Sequence, residues 1–186
     1  MNFRRLIAFV ISTLLLSACQ TQTSVNEQRQ LASKAAVSSA INPDEATKPK
    51  YEEFVSAGQI LPLEMITDID GNLVDLKNSP KRKLVILFAT WCSDSNRALK
   101  ALNQSELLSD ESIEIIAIAR EEDQATVEAW RNMHGIKVPL ASDPDRSIFK
   151  RFAAAGIPRL ITVAEDNRVV NMALAEGEDQ LSLIRW

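Results

Sequence analysis

Leu84-Val85-Ile86-Leu87-Phe88-Ala89-Thr90-Trp91-Cys92-Ser93-Asp94-Ser95 is the stretch that decides how this chain is read. It opens on an unbroken apolar run, Leu84 to Ala89, the pattern of a strand covered on both faces. A helix is expected to follow from Ser93 to about Gln104, with Leu99 and Leu102 on one side. Cys92 therefore falls between a buried strand and the start of a helix. There the unpaired amides and the positive end of the helix favour thiolate over thiol. The same residue also suits a small buried hydrophobe, a common role for a free cysteine. Position alone leaves both readings open.

Outward from this stretch, strands alternate with helices. Ile113 to Ala119 reads as a second buried strand, and Asp123 as the cap of a helix from Gln124 to His134 that Gly135 ends. Asp143-Pro144 reads as a further helix start, with Ile148, Phe149 and Phe152 as its apolar face and Gly156 as its stop. Two hairpins frame the pattern. Leu63–Thr67 and Leu73–Leu76 flank a turn at 68–72 in which Gly71 supplies a positive φ. Leu160–Ala164 and Val169–Ala173 flank a polar turn at 165–168. Asp179 to Trp186 makes at most two turns of helix. The alternation predicts an α/β domain with a central mixed β-sheet flanked by helices.

Composition narrows the chemistry. The chain has 186 residues, 46% apolar and 25% charged, which suits one domain with extra segments. A net charge of -4 and a pI near 5.2 offer no general attraction for nucleic acid. Two cysteines allow at most one disulfide and no four-thiolate zinc site. The single histidine, His134, sits at an expected helix end and reads as a cap or packing residue, so no metal site is expected. No glycine-rich phosphate loop is present, so no nucleotide or other cofactor is expected. Trp130 reads as core, and Lys81-Arg82-Lys83 as a solvated turn before the strand.

The N-terminus reads as an address. Arg4 and Arg5 precede an apolar run from Leu6 to Ala18, too short to span a bilayer and suited to a secretory signal. Its end, Leu16-Ser17-Ala18-Cys19, resembles the lipobox of bacterial lipoproteins. That resemblance implies a signal peptide at 1–18 and a lipid-bearing Cys19 as the first mature residue. It also implies a membrane-anchored protein on the periplasmic side of the envelope. Gln20, in place of an inner-membrane retention aspartate, points to the outer membrane. Residues 19–50 lack aromatic side chains and read as a flexible tether, leaving 51–186 as the folded domain.

Within that domain, several segments together resemble the thioredoxin superfamily, in its TlpA/ResA-like redoxin branch. They are Gly58 and Pro62, Asp70-Gly71, Phe88-Ala89-Thr90-Trp91-Cys92, Trp130, His134-Gly135-Ile136, Pro139, Asp143-Pro144-Asp145 and Gly156-Ile157-Pro158. The resemblance implies a thioredoxin-like fold with an N-terminal β-hairpin and an inserted strand and helix. It implies Cys92 as catalytic thiol, Trp91 at the site rim, and a cis Ile157-Pro158 bond whose backbone pairs with a substrate strand.

The departures set the mechanism. The branch carries Cys-x-x-Cys, and here Ser95 stands at the second position. A serine cannot resolve a mixed disulfide, so self-contained disulfide reduction is excluded. Ser95 is expected to hydrogen-bond the Cys92 thiolate, Asp94 to oppose it, and Arg97 to offset Asp94. A glutamate that the branch often places three residues beyond the second cysteine is replaced by Ala98. The thiol-peroxidase pattern is not met, since Ala89 and Val85 occupy its Thr and Pro positions. Two readings stand. One is thiol–disulfide exchange through Cys92, with exported proteins or small thiols as partners and the second sulfur supplied from outside. The other is a redox-silent module that binds peptides by strand addition.

Overall fold

The structure is a computed structural model, and it describes residues 51–186. The signal segment, the tether, Cys19 and Gln20 lie outside the described residues.

Five strands form the main sheet, in the order β5-β4-β3-β6-β7. The central strand β3 (Arg82–Phe88) pairs in parallel with β4 (Ile113–Arg120), which pairs in parallel with β5 (Leu140–Asp143). On its other side β3 runs antiparallel to β6 (Arg159–Val163), followed by antiparallel β7 (Val169–Leu174). Helices α1 (Ser93–Asn103) and α2 (Gln124–His134) make the crossovers from β3 to β4 and from β4 to β5. A separate antiparallel pair, β1 (Met65–Thr67) and β2 (Leu73–Asp75), precedes the sheet. This is the mixed thioredoxin-like architecture that the sequence predicts.

The period of a strand divides the core in two. Leu84, Ile86 and Phe88 face α1 and α2, packing with Leu99, Leu102, Val127 and Trp130. Val85 and Leu87 face the opposite layer, which holds Ile66 and Leu76 around the hairpin, together with Phe149, Phe152 and Ile157. Both faces of β3 are thus closed, which explains the continuous apolar run.

Two expectations need correction. Asp143-Pro144 does not start an α-helix. Asp143 ends β5, and only Phe149–Arg151 makes a short 3-10 turn. Arg146 takes a φ of 63°, in the left-handed region, and breaks the run. The Asp143 carboxylate nevertheless acts as a cap, accepting from Ile148 N–H at 3.0 Å and Phe149 N–H at 2.8 Å. The basic run is not a solvated turn either. Arg82 and Lys83 belong to β3, and Lys83 is fully buried. Its Nζ donates to Ser79 O at 2.8 Å and to Asn167 Oδ1 at 2.6 Å. Burial pushes the Lys83 pKa down, and Asp166, Glu114 and Glu165 pull the other way.

Candidate active site

The chain leaves β3 at Phe88 and turns within four residues into α1, so the turn's backbone must find partners outside both elements. Glu122, buried just past the end of β4, supplies one set. Its carboxylate accepts from Thr90 N–H at 2.8 Å and from the Thr90 hydroxyl. Asn96, on the first turn of α1, supplies another. Its Nδ2 donates to Thr90 O at 2.7 Å and to Cys92 O at 2.8 Å. The Asn96 Oδ1 accepts from Trp130 Nε1 at 2.8 Å, and Trp130 packs against Phe88 and His134 with ring centroids 5.4 Å apart in each pair. A carboxylate, an amide and an indole therefore fix the turn from below.

Cys92 occupies the N-cap position of α1 with extended backbone, φ -84° and ψ 123°, and its side chain makes no capping bond. The sulfur is left free of the helix and partly exposed. Its polar neighbour is Ile157 O, 3.9 Å from Sγ. Ile157-Pro158 is a cis peptide, both residues are buried, and Ile157 packs in the same layer as Cys92. The fold thus brings together Cys92, Ile157 and Pro158, which are 65 residues apart in the Cys92–Ile157 contact. Trp91 stands beside them, 68% exposed.

Ser95 behaves differently from the expectation. It is fully buried, and its hydroxyl oxygen takes the Ala89 N–H at 3.3 Å, so it braces the end of the strand instead of bonding to the Cys92 sulfur. The inward direction of position 95 on α1 explains this, because the helix start points it at the strand it follows. Ala98 is buried on the same inner side of α1. Arg97 pairs with Asp94 at 2.5 Å and also donates to Gly177 O at 2.5 Å. The pair neutralises Asp94 locally.

The Ile157 side of the site is held by residues that sequence reasoning does not single out. Arg159 immediately follows Pro158 and is fully buried. Its Nη2 donates to Ala155 O at 2.7 Å, and its Nη1 pairs with Glu53. Glu122 and Asn96 were equally silent in the sequence. The available signals are an acid two residues past a buried strand and an arginine that opens an apolar strand.

Comparison with known proteins agrees with this geometry. The family model described as Redoxin matches residues 56–182. No curated protein matches the chain by sequence. Among solved structures, one neighbour is a Bacteroides thetaiotaomicron protein provisionally named a protein disulfide isomerase. It has 24% identity and a TM-score of 0.66, covering 72% of this chain and 88% of that one. A secreted Mycobacterium tuberculosis disulfide oxidoreductase, homologous to E. coli DsbE, has 16% identity and a TM-score of 0.56, covering 65% and 91%. StoA from Bacillus subtilis has 14% identity and a TM-score of 0.53, covering 59% and 85%. At these identities the neighbours establish the fold alone.

Proposed function

The chain belongs to the redoxin family, and on that premise we propose that it performs monothiol thiol–disulfide exchange through Cys92. The observation that carries this reading is the placement of one uncapped, partly exposed thiol at a helix start, 3.9 Å from the carbonyl that precedes a cis proline. A strand-edge acceptor beside a nucleophilic sulfur suits an extended substrate carrying a disulfide.

The electron count closes without a second protein thiol. The Cys92 thiolate attacks one sulfur of a substrate disulfide R–S–S–R′, forming Cys92–S–S–R and releasing R′–S⁻ with the electron pair of the broken bond. An external thiolate R″–S⁻ then attacks the sulfur of R, forming R–S–S–R″ and returning Cys92 as thiolate. When R″ belongs to the same substrate, the outcome is isomerisation. Cys92 is oxidised to the mixed disulfide in the first step and returned to thiolate in the second, so one full cycle leaves the oxidation state of the protein unchanged. Ser95, turned inward to Ala89, takes no part in either displacement.

The same proposal places the protein on the periplasmic side of a bacterial envelope, held by lipid on Cys19, in the outer membrane. Support comes from the basic start, the short apolar run and the Leu16–Cys19 motif. Partners are then exported proteins or small thiols carrying reactive disulfides.

Trapping tests the exchange directly. Cells are quenched with a thiol-blocking reagent, the protein is purified, and species disulfide-linked to Cys92 are identified. Adducts released by reductant and absent from Cys92→Ala are expected, and they should be long-lived because no internal thiol resolves them. An empty trap, with a Cys92 that resists iodoacetamide in the folded protein, overturns the reading in favour of a peptide-binding module.

A further inference from the structure

The loop that presents Ile157 is made of small residues, Ala153-Ala154-Ala155-Gly156, which have no side chains with which to hold themselves. What holds them is charge. Burying a guanidinium is costly unless its donors are used, and those of Arg159 go to this loop from Nε and Nη2 and to Glu53 from Nη1. Its Nε lies 3.2 Å from both Ala155 O and Gly156 O, and its Nη2 lies 2.7 Å from Ala155 O. Arg146, whose guanidinium lies 5.0 Å over the Phe149 ring, donates from Nη2 to Ala154 O. Three successive carbonyls, at 154, 155 and 156, are therefore taken by arginine. The next one, Ile157 O, is the one that faces the sulfur.

The clamp has a second anchor. Glu53 pairs with Arg159 and bridges to Ala153 in antiparallel fashion. Around it, Phe54 N–H donates to Phe152 O at 2.8 Å and Ala154 N–H donates to Glu52 O at 2.9 Å. Tyr51 closes over the glycine: a Cβ added at Gly156 would stand 2.6 Å from its ring. Glu52 and the two arginines thus take the Ala154 N–H and the carbonyls of 154–156 and leave Ile157 O to the site.

We infer that Arg159, assisted by Arg146 and tied by Glu53, is a positioning residue that holds the Ile157 carbonyl beside Cys92 for the capture of peptide disulfides. The inference rests on the exchange reading above. The clamp holds the carbonyls next to the docking acceptor and does not touch the sulfur, so its loss should weaken capture of an extended peptide far more than attack on a small disulfide that needs no backbone pairing.

The test uses the full chain in detergent and two probes. One is a decapeptide whose single cysteine is capped as the thionitrobenzoate disulfide; the other is 2,2′-dithiodipyridine. Arg159→Met should slow attack on the peptide about tenfold while changing attack on the small disulfide less than about twofold. Arg159→Lys should recover part of the loss. Arg146→Gln, a change outside the buried ion pair, should slow the peptide reaction about threefold and guards against a variant that fails to fold. Mass-resolved amide exchange across 153–158 should quicken in both variants. Equal loss toward both probes, or no loss toward the peptide, overturns the clamp alone. A wild-type chain inert to both probes overturns the exchange reading and the positioning role with it.

Discussion

The two walls of the site are anchored with opposite signs. On the sulfur side, the Thr90 N–H and hydroxyl are satisfied by the Glu122 carboxylate, and an amide from Asn96 takes the carbonyls. On the opposite side, the carbonyls of 154–156 are satisfied by the guanidinium groups of Arg146 and Arg159. Each wall is an irregular segment whose polar backbone needs partners, and each recruits charge for the purpose, one carboxylate on the first wall and two guanidinium groups on the second. Each also leaves one group outside its own anchoring, the thiol on one side and the Ile157 carbonyl on the other, and these two lie 3.9 Å apart. The difference teaches that loop geometry can be set by either sign, while the sign chosen fixes whether the anchor takes the backbone's donors or its acceptors.

Breaking either wall should have the largest effect. On the sulfur side, Glu122→Ala strands two donors of the partly buried Thr90, a loss of about 2 kcal/mol at the lower end of roughly 1–3 kcal/mol per orphaned group. Urea unfolding checks it, and a loss below about 0.5 kcal/mol would remove Glu122 as the anchor. The opposite wall should fail through crowding instead. Gly156→Ala places a methyl against Tyr51 at a φ of 87°, at a cost of about 2 kcal/mol from overpacking and left-handed backbone. Tyr51→Ala in the same chain should return the overpacking part, which a purely backbone effect would not.

The smallest effect per residue lies outside both walls and defines their common background. Hydrogen bonds hold three exposed carboxyls below the ordinary 3.8: Asp75 through the Asn78 side-chain amide, Asp110 through the Ser112 hydroxyl, and Asp123 through the Thr126 N–H. Lowered folded values mean that the unfolded chain binds protons first as acid is added. The stabilisation is therefore complete above 3.8 and is lost as pH falls through the lowered values. The urea midpoint should stay level from about pH 7 to pH 5 and fall below about pH 4. A midpoint still level at about pH 3 would contradict this assignment.

Much of the scaffold was legible because it is written in repeated signals. β3, β4 and the crossover helices follow from apolar runs, a 3.6-residue period and caps such as Asp123, whose side chain accepts from Thr126 N–H as expected. Cys92, Trp91, Ile157 and Pro158 were legible through resemblance, and the chain folds them to one place. Arg159, Glu122 and Asn96 were not. Each acts once, across separations of up to 106 residues, and a single polar side chain leaves no period in the sequence. Lys83 shows the same limit, since its burial depends on Asn167 from the distant turn. The segment after Asp143 carries the caps and apolar spacing of a helix, and only the left-handed Arg146 makes it a turn.

The contact between Cys92 Sγ and Ile157 O has a consequence for timing. A protonated thiol donates to that carbonyl and so covers it. Once the proton leaves, both atoms are acceptors, the attraction ends, and the carbonyl is vacated for the amide of an arriving strand. On the exchange reading proposed above, one proton therefore serves two parts at once: its departure arms the sulfur and frees the carbonyl for a substrate strand.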